Sequence, residues 1–105
     1  MAIIGQVPGV GAVVSGPLRD LSGTTTLGGT AQTAIVDQPG RRYIFFQNIS
    51  AENFFINFGV VAVADQPSIR VGPGASFVAE SSFIPGEFIS LISATTGSKF
   101  VLKVG

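Results

Sequence analysis

The segment RRYIFFQNISAENFFINFG, residues 41 to 59, holds five of the nine phenylalanines of the chain and is the strongest indication of its fold. Aromatic and β-branched residues of this kind favour strands. The stretch divides into two such segments, 42–48 and 53–59, around the polar ISAE. We therefore predict two neighbouring strands that form a hairpin and build a surface for packing.

Alternation along these strands places apolar side chains on both faces of the predicted hairpin. The first face consists of Ile44, Phe46, Phe54, Ile56 and Phe58. The second face holds Tyr43, Phe45 and Phe55, where a solvated antiparallel sheet normally has polar residues. Either a second sheet or another subunit covers this second face, so these three residues are candidates for a self-interface.

Two arginines, Arg41 and Arg42, begin the first aromatic strand directly after a turn. Arginine is favoured at protein interfaces, so both join the candidate self-interface and would pair there with an acid of a neighbouring subunit. The alternative is a pair at the start of a strand, in water or bonded to Asp37 or Glu52.

The chain from residue 31 onward has the pattern of an all-β domain. Short apolar runs alternate with Gly, Pro, Asn and Asp clusters at the spacing typical of sandwiches and barrels. The predicted strands are 33–36, 42–48, 53–59, 68–71, 75–80, 87–93 and 99–104. We predict one antiparallel, jelly-roll-like β-sandwich over residues 31–105.

Residues 1–30 differ in character, because they are rich in glycine and carry only Arg19 and Asp20 as charges. Disordered tails are usually charged and poor in branched aliphatic residues. We therefore predict an extended N-terminal arm that gains order on another protein, with a floppy tail or a first strand of the domain as alternatives. The candidate contact residues of this arm are Ile3, Ile4, Val7, Val10, Val13, Val14 and Leu18. A basic segment typical of secretion signals is missing before them, so we expect the N-terminus to be retained.

Charged residues make up 11% of the chain and apolar residues 46%. An ordinary soluble domain has about 25% charged residues, so the deficit lies in solvent-facing charge and suggests that a partner covers part of the surface. The net charge is zero and the charges are scattered. We expect neither a nucleic-acid nor a membrane partner.

The composition supplies few of the side chains that catalytic sites use. There is no cysteine and no histidine, which removes disulfides, the usual zinc ligands and the commonest general base. The carboxylates are Asp20, Asp37, Glu52, Asp65, Glu80 and Glu87, with no two close in sequence. The glycine-rich segment 23–30 has Gly29 where a phosphate loop needs lysine, so we interpret it as a flexible linker. We expect no enzyme, no metal site and no cofactor.

The order of short motifs in residues 31–105 resembles a family of small structural proteins of tailed phages and prophages. These motifs are Arg42 after a turn, a strand ending in Gln47, Asn48 and Ser50, a second strand ending INFG (56–59), then SIRVGPGASF (68–77) and a last strand that ends in glycine. The family comprises capsid decoration or cement proteins and related head-fibre bases.

This resemblance implies a compact β-sandwich, commonly trimeric, on the outside of an icosahedral head over junctions between major capsid protein subunits. The expected partners are the major capsid protein and further copies of the chain as a homotrimer. The expected location is the capsid exterior of the virion, after assembly in the host cytoplasm. The N-terminal arm would then bind the capsid. A small glycan- or receptor-binding β module of a tail or fibre is the alternative, with Tyr43 and Asn57 as its best candidates.

Overall fold

The computed structural model describes residues 17–80 and 83–105, which form nine β-strands. The strands are β1 Arg19–Asp20, β2 Gly23–Thr24, β3 Gln32–Ile35, β4 Tyr43–Asn48, β5 Phe54–Phe58, β6 Ile69–Val71, β7 Ser76–Glu80, β8 Ile89–Ser93 and β9 Lys99–Val104. Over these two ranges, no helix has the length and apolar character to cross a membrane. The arm residues Ile3, Ile4, Val7, Val10, Val13 and Val14 lie outside the described residues.

The strands form two antiparallel sheets that pack on each other. The five-stranded sheet has the order β1-β9-β4-β7, with β2 also paired to β9, and the four-stranded sheet has the order β3-β8-β5-β6. Each of the seven predicted strands corresponds to one of β3 to β9. The predicted all-β sandwich is confirmed.

The predicted hairpin of residues 42–59 is wrong, because its two strands lie in different sheets. Strand β4 pairs with β7 and β9, whereas β5 pairs with β6 and β8. The connection turns across the core at Asn48, whose fully buried amide group donates to the carbonyls of Glu52 and Val71 and accepts from the backbone N–H of Ser50. A satisfied buried amide can fix such a crossover, whereas an unpaired one would cost free energy.

The predicted faces of β4 and β5 are confirmed even though their pairing is not. Ile44 and Phe46 of β4 and Phe54 and Ile56 of β5 are all buried. The rings of Phe46 and Phe54 meet edge to face at a centroid distance of 5.5 Å, and Phe100 of β9 lies 5.7 and 5.6 Å from them. Each such buried side chain contributes roughly 1.5–3 kcal/mol. The aromatic strands therefore join the two sheets through the core.

The predicted boundary at residue 30 is corrected by β1 and β2, which pair with the edge of β9. Arg19 lies opposite Val104 and Gly23 opposite Phe100. Between the two short strands, the Leu21 N–H donates to the Leu102 carbonyl at 2.8 Å. Residues 17–30 thus belong to the sandwich and supply hydrogen bonds to a strand edge that would otherwise be unpaired. The alternative of a first strand of the domain holds for this part.

The glycine-rich segment 23–30 is packed against the β8–β9 turn and is not a flexible linker. Thr25 is buried, and its hydroxyl donates to the Thr95 carbonyl at 2.6 Å and accepts from the Ser98 N–H at 2.9 Å. A side chain at Gly28 would place its Cβ 2.5 Å from the Ala94 carbonyl oxygen. Glycine is needed here because two backbones approach closely.

Candidate binding surfaces

The three aromatic residues predicted as a self-interface do not form one surface. Tyr43 and Phe45 are half-buried on the outer face of the five-stranded sheet. Phe55 is half-buried on the outer face of the four-stranded sheet, on the opposite side of the molecule. They would share one face only if β4 paired with β5, whereas these strands lie in different sheets.

Arg41 is only 5% exposed and is not available to a neighbouring subunit. Its guanidinium donates to the carbonyls of Pro85 at 2.8 Å, Glu87 at 3.1 Å and Val36 at 3.3 Å. Burial lowers the pKa of Arg41, and the nearby charge of Arg19 acts in the same direction. Arg41 is buried because its planar guanidinium presents several donors at once and can hold two crossover loops together.

These contacts define one end of the sandwich, which we call the Arg41 end. It consists of residues 17–18, the β3–β4 loop (36–42), residues 83–88 before β8, and Gly105. Arg42 is exposed there, and its backbone N–H donates to the Gly105 carbonyl at 2.7 Å. The start of β1, both crossover loops and the end of β9 therefore meet at one place.

The Arg41 end presents large apolar side chains to solvent. Phe83 is 77% exposed and Val36 70%, the highest values for large apolar side chains in the described parts of the chain. Leu18, the one predicted arm residue that the structure describes, is also exposed at this end. Its side chain lies beside Gly105.

A second apolar surface is formed by residues 60–64, VVAVA, which we call the strap. The strap lies across the outer face of the four-stranded sheet, where the Ala62 N–H donates to the Ser90 hydroxyl at 2.9 Å. Ala62 and Ser90 are both buried by this contact. The valines on either side, Val60, Val61 and Val63, are exposed. None of the predicted site residues lies in this loop, although five consecutive residues without a polar side chain are a signal visible in the sequence.

Beside the strap is a shallow hollow of about 280 Å³. Phe55 and Ile92, which lie opposite each other on β5 and β8, are the large apolar residues of its lining, and Ala64 of the strap also lines it. Glu52 and Asn53 add polar groups to its lining. Strap and hollow together make one continuous surface with an apolar centre.

The outer face of the five-stranded sheet is more mixed in chemistry. One row across the strands runs from Asp20 through Lys103 and Phe45 to the exposed Val78. Lys103 and Asp20 form an exposed ion pair at 3.6 Å. Hydrogen bonds from the hydroxyl and N–H of Ser22 lower the pKa of Asp20, and Lys103 adds to the effect. This row therefore carries charged side chains at the β1–β9 edge and apolar ones towards β7.

The remaining motifs of the sequence have structural positions. The described residues include no group of three acidic side chains close enough to hold a metal ion. Asn48, which begins the glycosylation-like triplet Asn48-Ile49-Ser50, is fully buried. Tyr43 and Asn57, the candidates for a glycan site, lie on outer faces of different sheets.

Comparison with known proteins does not assign the chain to a family. No protein-family model, no curated protein and no solved structure matches the chain.

Proposed function

We propose that the protein is a capsid decoration protein, which binds the outer surface of a tailed-phage head and stabilises the contacts between major capsid protein subunits. Self-association, as a homotrimer in the family that the sequence resembles, belongs to this proposal. The observation that carries it is the exposed apolar surface of the Arg41 end, next to the point where the N-terminal residues join the sandwich.

The architecture agrees with this function. If β1 and β2 are taken as one interrupted strand, the two sheets have the strand orders 1-8-3-6 and 2-7-4-5, and these orders support the proposal of a jelly-roll-like sandwich. Jelly rolls are common among viral capsid domains, but also among lectins. The architecture is therefore compatible with a capsid protein and with a lectin, and the chemistry of the surface has to distinguish the two.

The surface favours attachment to a protein. A cement protein works by removing apolar area from water across subunit junctions, and 100 Å² of such area contributes about 2.5 kcal/mol before the cost of ordering. Phe83, Val36 and Leu18 offer such area at one end of the molecule. The apolar residues of segment 1–16 continue from this end in the sequence, so both could contact the same shell.

The test is co-sedimentation of the purified protein with phage heads that lack it, across a concentration series. We expect Phe83→Ser, and separately removal of residues 1–16, to weaken binding at least about tenfold. Leu27→Ser is the matched control, because Leu27 is similarly exposed but lies in the β2–β3 loop at the other end. Equal binding of all four proteins would refute the proposed contact, and no binding by the unmodified protein would refute the function.

The alternative is a small glycan- or receptor-binding module of a tail or fibre. The specific observation in its favour is the hollow, where the aromatic Phe55 lies near the polar Glu52 and Asn53. Saccharide binding that is saturable and lost in Phe55→Ala would favour this function. Head binding by the unmodified protein, without saturable saccharide binding, would favour decoration.

A further inference from the structure

We propose that the strap and the hollow are the surface through which two copies of this chain bind each other. The inference rests on the proposed function, in which the protein acts as a self-associated unit, and it assigns that contact to the outer face of the four-stranded sheet. This is not the surface predicted from the sequence, which combined residues of both sheets.

The strap supplies most of the exposed apolar area of this surface. Loops that face water usually carry polar side chains, whereas this one exposes Val60, Val61 and Val63 within four residues. Single exposed apolar residues are normal on protein surfaces, but a contiguous group beside an apolar hollow marks an interaction site. Ala62 fixes the strap to Ser90 through its N–H, so the valines are held in place before a partner arrives. A preformed surface loses little entropy on binding.

The charges around the strap indicate that the partner is a second copy. Asp65 follows the strap directly and is exposed, and Arg70 is exposed on the same outer face, opposite Phe55 in the β5–β6 pairing. The ion pair found among the described residues joins Lys103 and Asp20, so Asp65 and Arg70 have no oppositely charged side chain within 4 Å there. The surface thus carries an acid and a base, so the acid of one copy can pair with the base of the next copy around a closed ring such as a trimer.

The strap and the hollow also lie side by side, because Ala64 of the strap is part of the lining of the hollow. The strap valines are exposed and the hollow has a volume of about 280 Å³, so the strap of one copy can pack against the hollow of another. Phe55 and Ile92 then supply the aromatic and aliphatic centre that interface cores favour, and the charged pair lies at the rim.

The experiment measures the native mass of the full-length protein by light scattering over a concentration series, without phage heads. We expect the unmodified protein to self-associate and Val61→Glu to weaken that association at least about tenfold. Val78→Glu is the matched control, because Val78 is an exposed valine on the opposite sheet, and it should leave the mass unchanged. A monomeric unmodified protein, or equal effects of Val61→Glu and Val78→Glu, would overturn the assignment.

Charge reversal supplies a second test that does not depend on the apolar variant. Asp65→Arg and Arg70→Asp should each weaken association, because like charges then meet across the interface, and the double variant should restore it. A double variant that is weaker than both single variants would overturn the charge pairing. Because this assay contains no capsid protein, its failure is distinguishable from a failure of head binding in the co-sedimentation assay.

Discussion

Replacement of Arg41 by alanine should destabilise the protein by about 3 kcal/mol. The guanidinium donates to three backbone carbonyls, those of Pro85, Glu87 and Val36. A hydrogen bond from a charged donor contributes about 1.5–3 kcal/mol and a neutral one about 1 kcal/mol. We assign about 1 kcal/mol to the hydrogen bond to each carbonyl, because burial of the charged guanidinium costs free energy. The same burial lowers the pKa of Arg41.

Urea unfolding followed by circular dichroism is the appropriate assay. With a slope of about 1.5 kcal/mol per molar urea, the midpoint should fall by about 2 M. Arg42→Ala is the matched control, since Arg42 is the exposed neighbour in sequence, and its change should stay within about 0.5 kcal/mol. The urea midpoint of Arg41→Lys should lie between those of Arg41→Ala and Arg42→Ala, because an ammonium group lacks the planar fork that reaches several acceptors. Equal midpoints for Arg41→Ala and Arg42→Ala would show that the guanidinium does not hold the two loops together.

Three further predictions concern the rest of the sandwich. Gly28→Ala should lower the free energy of unfolding by about 3 kcal/mol in the same urea assay, because its Cβ would meet the Ala94 carbonyl oxygen at 2.5 Å. Gly29→Ala has open space around its Cβ but a φ of +76°, so it should lower the free energy of unfolding by about 1–2 kcal/mol. Phe54→Ala should cost about 3–5 kcal/mol by removing a ring from the buried aromatic group, and a loss below 1 kcal/mol would contradict that packing. The pKa of Asp20 is lowered in the folded state, so its ionised carboxylate stabilises the fold. This contribution to stability is complete above the ordinary aspartate pKa of about 4 and disappears as the pH falls through the lower pKa of the folded state. Asp20→Asn should therefore show a shallower loss of stability below about pH 4 than the unmodified protein, and identical pH profiles would count against the Ser22 hydrogen bonds.

The sequence by itself was sufficient for the strands and for the faces of the aromatic ones. Alternation with a period of two is a local property, so the inward positions of Ile44, Phe46, Phe54 and Ile56 follow from the order of residues alone. The turn residues between the apolar runs are equally local, and for this reason β3 to β9 were predicted close to their observed positions.

The pairing of the strands and the exposure of the surfaces could be read only from the folded chain. Pairing depends on contacts between residues far apart in sequence, and a short linker such as ISAE permits either a hairpin or a crossover between sheets. Arg41 illustrates the consequence: its three acceptors lie 5, 44 and 46 residues away, so no local pattern could distinguish a buried loop anchor from an exposed interface residue. The strap valines show the opposite case. Their apolar run is visible in the sequence, but their exposure follows from the position of the loop, which the hydrogen bond from the Ala62 N–H to the Ser90 hydroxyl fixes on the sheet.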